Sequence, residues 1–196
     1  MRRFIVIAHE LPASADISLD NLPGAGRLDL LSRCVTSALL LSHDIREDVR
    51  VDLLVDGYVV EFDGSELRRL NPDERSTAAR IRDALDAREG AIGSMAATSS
   101  PGVSIRSGDL ESVLEGLPAE NTLVELHAKG QPVCEWSPPE DPVFVLSDHR
   151  QFAKAESDLL GQRADERLSL GPRALHADQA ITVAHNYLDT DGYNTY

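Results

Sequence analysis

Three stretches of this 196-residue chain end in residues suited to holding a small polar ligand: Leu126-His127, Leu146-Ser147-Asp148-His149 and Leu170-Gly171-Pro172. Each closes a run that reads as a strand. If the three strands are neighbours in a parallel sheet, their ends open on one edge, where α/β proteins bind ligands. The third stretch is the most informative. Arg167–Leu170 alternates as a strand, Gly171-Pro172 turns, and a helical run extends from Ala180 to Leu188. Such a turn exposes backbone N–H groups, although the same pattern also serves a purely structural connection. Leucines beside free amides suit a ligand with a flat apolar ring and a polar tail. No acidic residue follows a glycine loop at the spacing that holds a ribose, so an ordinary dinucleotide site is not indicated.

Other residues have the types for chemistry without a complete motif. His43 and Asp44, side by side after a helix, could handle a proton or could simply be solvated. No serine nucleophile is linked to them, so a triad is unsupported. In Gly24-Ala25-Gly26-Arg27-Leu28-Asp29 the glycines read as turn formers, and Arg27 and Asp29 as a short-range ion pair beside a site. Six arginines fall between Arg68 and Arg88. Arg68, Arg69 and Arg75 flank a loop-to-helix entry and could converge on phosphates. Arg80, Arg82 and Arg88 read as surface charges balanced by Asp73, Glu74, Asp83 and Asp86. The six histidines are scattered and form no metal-ligand cluster. Cys34 and Cys134 read as buried thiols and not as a disulfide.

The elements that must position these residues alternate between strand and helix. Strands are expected at Arg3–Ala8, Val49–Val55, Tyr58–Phe62, Thr122–His127 and Pro142–Leu146, with Asp56-Gly57 as a hairpin turn. Helices are expected over Leu28–Leu41, from Asn71-Pro72 to about Arg88, over Asp109–Glu115 and over Phe152–Gly161. Glu89–Gly102 reads as a loop of small residues, and Pro132–Pro142 as a Pro-rich loop within one domain spanning 1–196. The fold class is α/β, a mostly parallel sheet with helices on both faces.

The net charge is −14, from 33 acids against 19 bases, and only Lys129 and Lys154 of those bases are lysine. Excess carboxylate with almost no lysine is the composition of a protein adapted to concentrated salt, where self-repulsion is screened. The acidity therefore answers to the solvent and does not exclude a nucleic acid. No apolar run reaches membrane-spanning length and no leader is evident, which makes the cytoplasm the default location.

Several of these segments occur together and in order: PGAGRLDLLSRCV, LSHDIR, GSELRRLNPDER, ELHAKG, VFVLSDH and LSLGPRALHADQAITVAHNYLD. In this combination the chain resembles the archaeal tRNA pseudouridine N1-methyltransferases, members of the SPOUT superfamily, from about Arg2 to Asp189. The resemblance implies a C-terminal trefoil knot, a homodimer, and S-adenosylmethionine held in the knot by Leu126, Ser147, Leu170, Gly171, Pro172, Arg173, Ala174, Leu175 and Ala180. Ser147 stands where the family usually has Gly, and Ala180 where it commonly has Cys. The implied substrate is nucleotide 54 of the tRNA T-loop. Asp44 with His43 is then the first candidate proton acceptor and Asp29 the second. Arg27, Arg68, Arg69 and Arg75 become candidate RNA contacts. Two other functions fit the same features: methylation of a pseudouridine in small-subunit rRNA, or a non-catalytic module that binds RNA or a partner.

Overall fold

A computed structural model describes residues 1–14, 16–92 and 95–195. Its centre is β1 (Arg2–Ala8), in which Phe4 to Ala8 are all buried. A strand that is apolar on both faces needs cover on both, and parallel α/β sheets provide it. β1 pairs in parallel with β2 (Val49–Val55) on one side and with β7 (Pro142–Ser147) on the other. β7 pairs in parallel with β6 (Thr122–Pro132), and β6 in turn with β8 (Glu166–Ser169). Beyond β2 the sheet continues antiparallel through β3 (Tyr58–Asp63), β5 (Val103–Ser107) and β4 (Ala97–Ser100). The eight strands run in the order β4-β5-β3-β2-β1-β7-β6-β8. The three stretches singled out in the sequence thus belong to adjacent parallel strands, Leu126-His127 within β6 and the other two at the ends of β7 and β8.

One face is covered by α1 (Leu28–Leu39), α2 (Glu74–Asp86) and α5 (Ala177–Asp189), with α1 packed against both of the others. Their core includes Phe4, Val6, Leu31, Ile81, Ile181 and Tyr187. The opposite face is covered by α3 (Leu110–Glu115) and α4 (Lys154–Arg163), over Ile5, Ile7, Val145 and Leu160. Among the described residues no helix is long and apolar enough to cross a membrane.

Several expectations need correction. The stretch 89–102 is not simply a loop: it carries the end of a 3-10 turn, Ala87–Gly90, and strand β4. Gly93 and Ser94 in this stretch lie outside the described residues. β5 is an additional strand; only Val103 and Ile105 of its five residues are buried, too short an alternation to mark it in the sequence. β6 runs on to Pro132, and α5 begins at Ala177 instead of Ala180. Cys134 is exposed, because it lies in a surface 3-10 turn, whereas Cys34 is buried in α1.

The long β6 has a consequence for the C-terminal third. Leu168 in β8 is paired with Leu126 and again with Gln131, so β6 departs from β8 and returns to it. The return brings Gly130 against the backbone: a Cβ there would lie 2.5 Å from the Leu168 carbonyl carbon and 2.7 Å from Arg167 O. Backbone cannot yield as a side-chain tip can. Gly130→Ala is therefore expected to cost about 1–3 kcal/mol in urea denaturation. Gly161→Ala, in α4 with nothing within 4 Å of the new carbon, should be neutral or stabilising.

Over the amino end of β1, His185 of α5 packs between Phe4 and α1. Its Nε2 lies 3.0 Å from Ala38 O and its Nδ1 3.1 Å from an Arg2 guanidinium nitrogen. A guanidinium only donates and a carbonyl only accepts, so the ring is neutral with its proton on Nε2. Burial, with Arg46 and Arg2 nearby, pushes its pKa down to about 4. Below pH 6.5 the unfolded chain takes up a proton that the folded ring refuses, so this contribution is present above that value and fades as pH falls towards 4. Asp52, pushed up to about 6 by burial, acts in the opposite sense. Against His185→Gln, the wild type should lose about 2 kcal/mol more stability between about pH 7 and about pH 5 in denaturant titrations.

Candidate active site

The irregular stretch of β6 at Leu126–Lys129 and the chain segments leaving β7 and β8 enclose a cavity of about 390 Å³. That is within the usual range for pockets that hold small organic ligands. Leu126, Leu146, Leu168 and Leu170 contribute its apolar lining, and Gly171 to Leu175 and Ala177 to Ala180 pass along it. Eight of the nine residues expected to hold a cofactor line it: Leu126, Ser147, Leu170, Gly171, Arg173, Ala174, Leu175 and Ala180. Pro172 is exposed and does not line it, because the turn directs its ring to solvent. The Ser147 hydroxyl oxygen is buried without a protein partner, the kind of atom a bound ligand satisfies. Lys129, Arg150 and Arg173 also line the cavity, three cations in a chain of net charge −14.

Asp148 is the carboxylate of this cavity. Its side chain is only 1% exposed, and its N–H donates to Ile7 O at 3.1 Å. It accepts from the backbone N–H groups of His9 and Arg150, both at 2.8 Å. His9 follows β1 with no sequence motif around it. The one available signal was its place at the carboxyl end of a buried strand.

Gly26-Arg27 brings a second group of charges to α1. Gly26 has φ +62°, and a Cβ on it would lie 2.5 Å from Glu10 O and from Leu11 Cα, so its role is close packing against the segment after β1. Arg27 is also left-handed, at φ 59°, a conformation that a branched or bulky side chain adopts only under constraint. Its guanidinium donates to Asp29 at 3.0 and 3.2 Å. Arg33 donates to Asp29 at 3.2 Å, to Glu74 at 2.9 Å and to Asp178 at 3.2 Å, linking the first turns of α1, α2 and α5. Burial would raise the Asp29 pKa, but the hydrogen bonds and charges of Arg27 and Arg33 hold it below its ordinary value. Asp29 is therefore an ionised anchor for two arginines and a poor proton acceptor.

His43 and Asp44 do not reach the cavity. They are exposed, in the bend between α1 and β2, where an Asp44 carboxylate oxygen accepts from Ile45 N–H at 2.8 Å. That bend precedes the amino end of β2, which runs parallel to β1 and so to β7. It lies a full strand length, about 20 Å, from the carboxyl edge. Arg68 and Arg69 are exposed, and Arg75 pairs with Asp20 across a solvent-exposed groove. Arg82 pairs with Asp83, whereas Arg80 and Arg88 bond to the carbonyls of Arg69 and Leu85.

A ligand-sized cavity beyond the carboxyl ends of adjacent parallel strands, rimmed with cations, defines an α/β protein of the small-molecule-binding class. Its fold is similar to that of Archaeoglobus fulgidus Nep1, solved bound to S-adenosylhomocysteine, with a TM-score of 0.66 over 94% of this chain and 95% of that one at 14% identity. Residues 1–193 match the family described as "putative SAM-dependent RNA methyltransferase", and the chain belongs to that family. Relatives named tRNA (pseudouridine(54)-N(1))-methyltransferase occur in Natronomonas pharaonis and Haloferax volcanii, each 62% identical over the full length of both chains. One from Methanococcoides burtonii is 42% identical over 96% of each chain.

The buried charges of Asp29 make it a stability element. Asp29→Ala leaves Arg27 and Arg33 short of an acceptor and should cost about 2 kcal/mol at neutral pH, read as a lower urea midpoint.

Proposed function

We propose that this chain methylates N1 of pseudouridine 54 in tRNA, using S-adenosylmethionine. The observation that carries this reading is the 62% identity, over the full length of both chains, to relatives of that named activity. The cavity supports it independently. Its leucines match an adenine ring and a thioether, and its open turn at Gly171 and the unpartnered Ser147 hydroxyl suit polar groups. Leu126, Ser147, Leu170 and the 171–175 turn would hold the cofactor, with Ala180 closing against it. Pro172 would act through the turn geometry alone. The bound cofactor supplies a methyl group on a positively charged sulfur.

Pseudouridine carries a proton on N1 that uridine lacks, and methylation requires its removal. Much of the acceleration can come from holding the base in line. Lys129, Arg150 and Arg173 at the cavity would take phosphates or a base carbonyl, with Arg27 behind them and Arg68, Arg69 and Arg75 as outer contacts. A T-loop nucleotide can be splayed out of its stack to enter such a site. Asp29, committed to two arginines, keeps Arg27 in place. His43 and Asp44 belong to the opposite edge within one chain. The double pairing of Leu168 and the tight passage of Gly130 support a trefoil knot around β8. We read the enzyme as a cytoplasmic homodimer whose RNA partner is tRNA.

The test is methyl transfer to T-arm tRNA carrying pseudouridine or uridine at position 54, followed by nucleoside mass spectrometry. N1-methylpseudouridine should form only on the pseudouridine substrate. Ala180→Leu, which fills the cavity, should lower the rate at least about ten-fold, and Asp44→Ala should stay within about two-fold of wild type. Product on a small-subunit rRNA fragment but not on tRNA would overturn the assignment.

A further inference from the structure

The segment 148–157 forms one wall of the cavity, lined by Asp148, Arg150, Gln151, Phe152 and Ser157. It runs from the end of β7 into the first turn of α4, and most of it lies in neither element. Beyond the Asp148 N–H, which still bonds Ile7 O of β1, no strand ladder fixes it. Both of its ends are held instead by one side chain from elsewhere, His9. His9 Nδ1 lies 3.0 Å from Asp148 Oδ1, and Nε2 lies 3.1 Å from Glu156 Oε2. The second Asp148 oxygen accepts the His9 backbone N–H at 2.8 Å. The same Glu156 oxygen accepts the Ala153 N–H at 2.7 Å and so closes the first turn of α4. The next residue, Glu10, contacts the wall again through His149 Nε2 at 3.4 Å and an ion pair with Arg150.

Ionised carboxylates only accept hydrogen bonds, and an imidazole donates from both nitrogens only as a cation. Burial opposes that cation, but the hydrogen bonds and charges of Asp148 and Glu156 outweigh it and raise the His9 pKa above its ordinary value. The other charged or titratable groups close to this cluster are Glu10, His149 and Arg150, with Arg27 acting on Asp148 at longer range.

We infer that His9 is a positioning residue for the cofactor pocket: as a doubly donating cation it ties Asp148 to Glu156 and holds the 148–157 wall in its binding shape. This rests on the reading of the cavity as the S-adenosylmethionine site. When His9 loses its proton, one of its two bonds must be given up, because a ring nitrogen lone pair then faces a carboxylate. The brace is complete below the raised pKa and is lost as pH rises through it.

The experiment is calorimetric titration of the full chain with S-adenosylhomocysteine from about pH 6 to about pH 9, for wild type, His9→Gln and Glu156→Gln. Wild-type affinity should fall about five-fold across this range. His9→Gln should bind about five-fold more weakly at about pH 6 and show no further fall. Glu156→Gln keeps an acceptor but removes a charge, so the fall should move to lower pH; this near-isosteric change keeps the test readable should His9→Gln not fold. A flat wild-type profile, or a fall that persists in His9→Gln, overturns the role of His9 while leaving the pocket assignment intact. A wild type that binds no S-adenosylhomocysteine at any pH overturns the pocket assignment and this inference with it.

Discussion

The parallel alignment of β7, β6 and β8 with β1 is the constraint from which the rest of the structure follows. Parallel strands send their carboxyl ends to the same edge, and each chain segment leaving that edge must turn back across the sheet. Here β6 loses its register after Leu126, and the segments after Ser147 and Ser169 leave beside it. They cannot all lie flat on the sheet, so they enclose a space floored by leucines from the strand ends. The antiparallel half, β3, β5 and β4, has no such convergence. It extends the core and offers α2 a surface to cover.

The charges are arranged around that space in two tiers. Near the first turns of α1, α2 and α5, Arg33 meets three carboxylates and Arg27 meets one of them, so that tier is internally balanced. At the cavity itself, Asp148 spends its oxygens on backbone N–H groups and His9, while Lys129 and Arg173 lie exposed. A polyanion approaching a chain of net charge −14 thus meets an exception to the average at the opening where chemistry is expected.

Much of the site was legible in the sequence because its signals are local. A strand period ending in Gly-Pro, and apolar runs ending at Leu126 and Leu146, are features of a few consecutive residues, and all three strand ends converge in space. What could not be read depends on long-range packing. His9 carries no motif, and its importance arises from partners 139 and 147 positions away. His43 and Asp44 have suitable chemistry and adjacency, yet the strand direction of β2 carries them to the opposite edge of the same chain. Cys134 looked buried by residue type alone, but its turn projects it outward. β5 leaves no sequence signal, because two inward residues in five do not distinguish a strand from a loop.

The spread of cavity residues along the chain has one more consequence. The lining runs from Leu126 to Ala180, and its last pieces belong to the turn before α5 and to that helix's opening residues. A nascent chain emerging from the ribosome can complete β1 to β7 and much of its core while still having no pocket. The cavity closes only once the chain has reached α5, so a product cut before Ala177 lacks one of its walls however well the sheet folds.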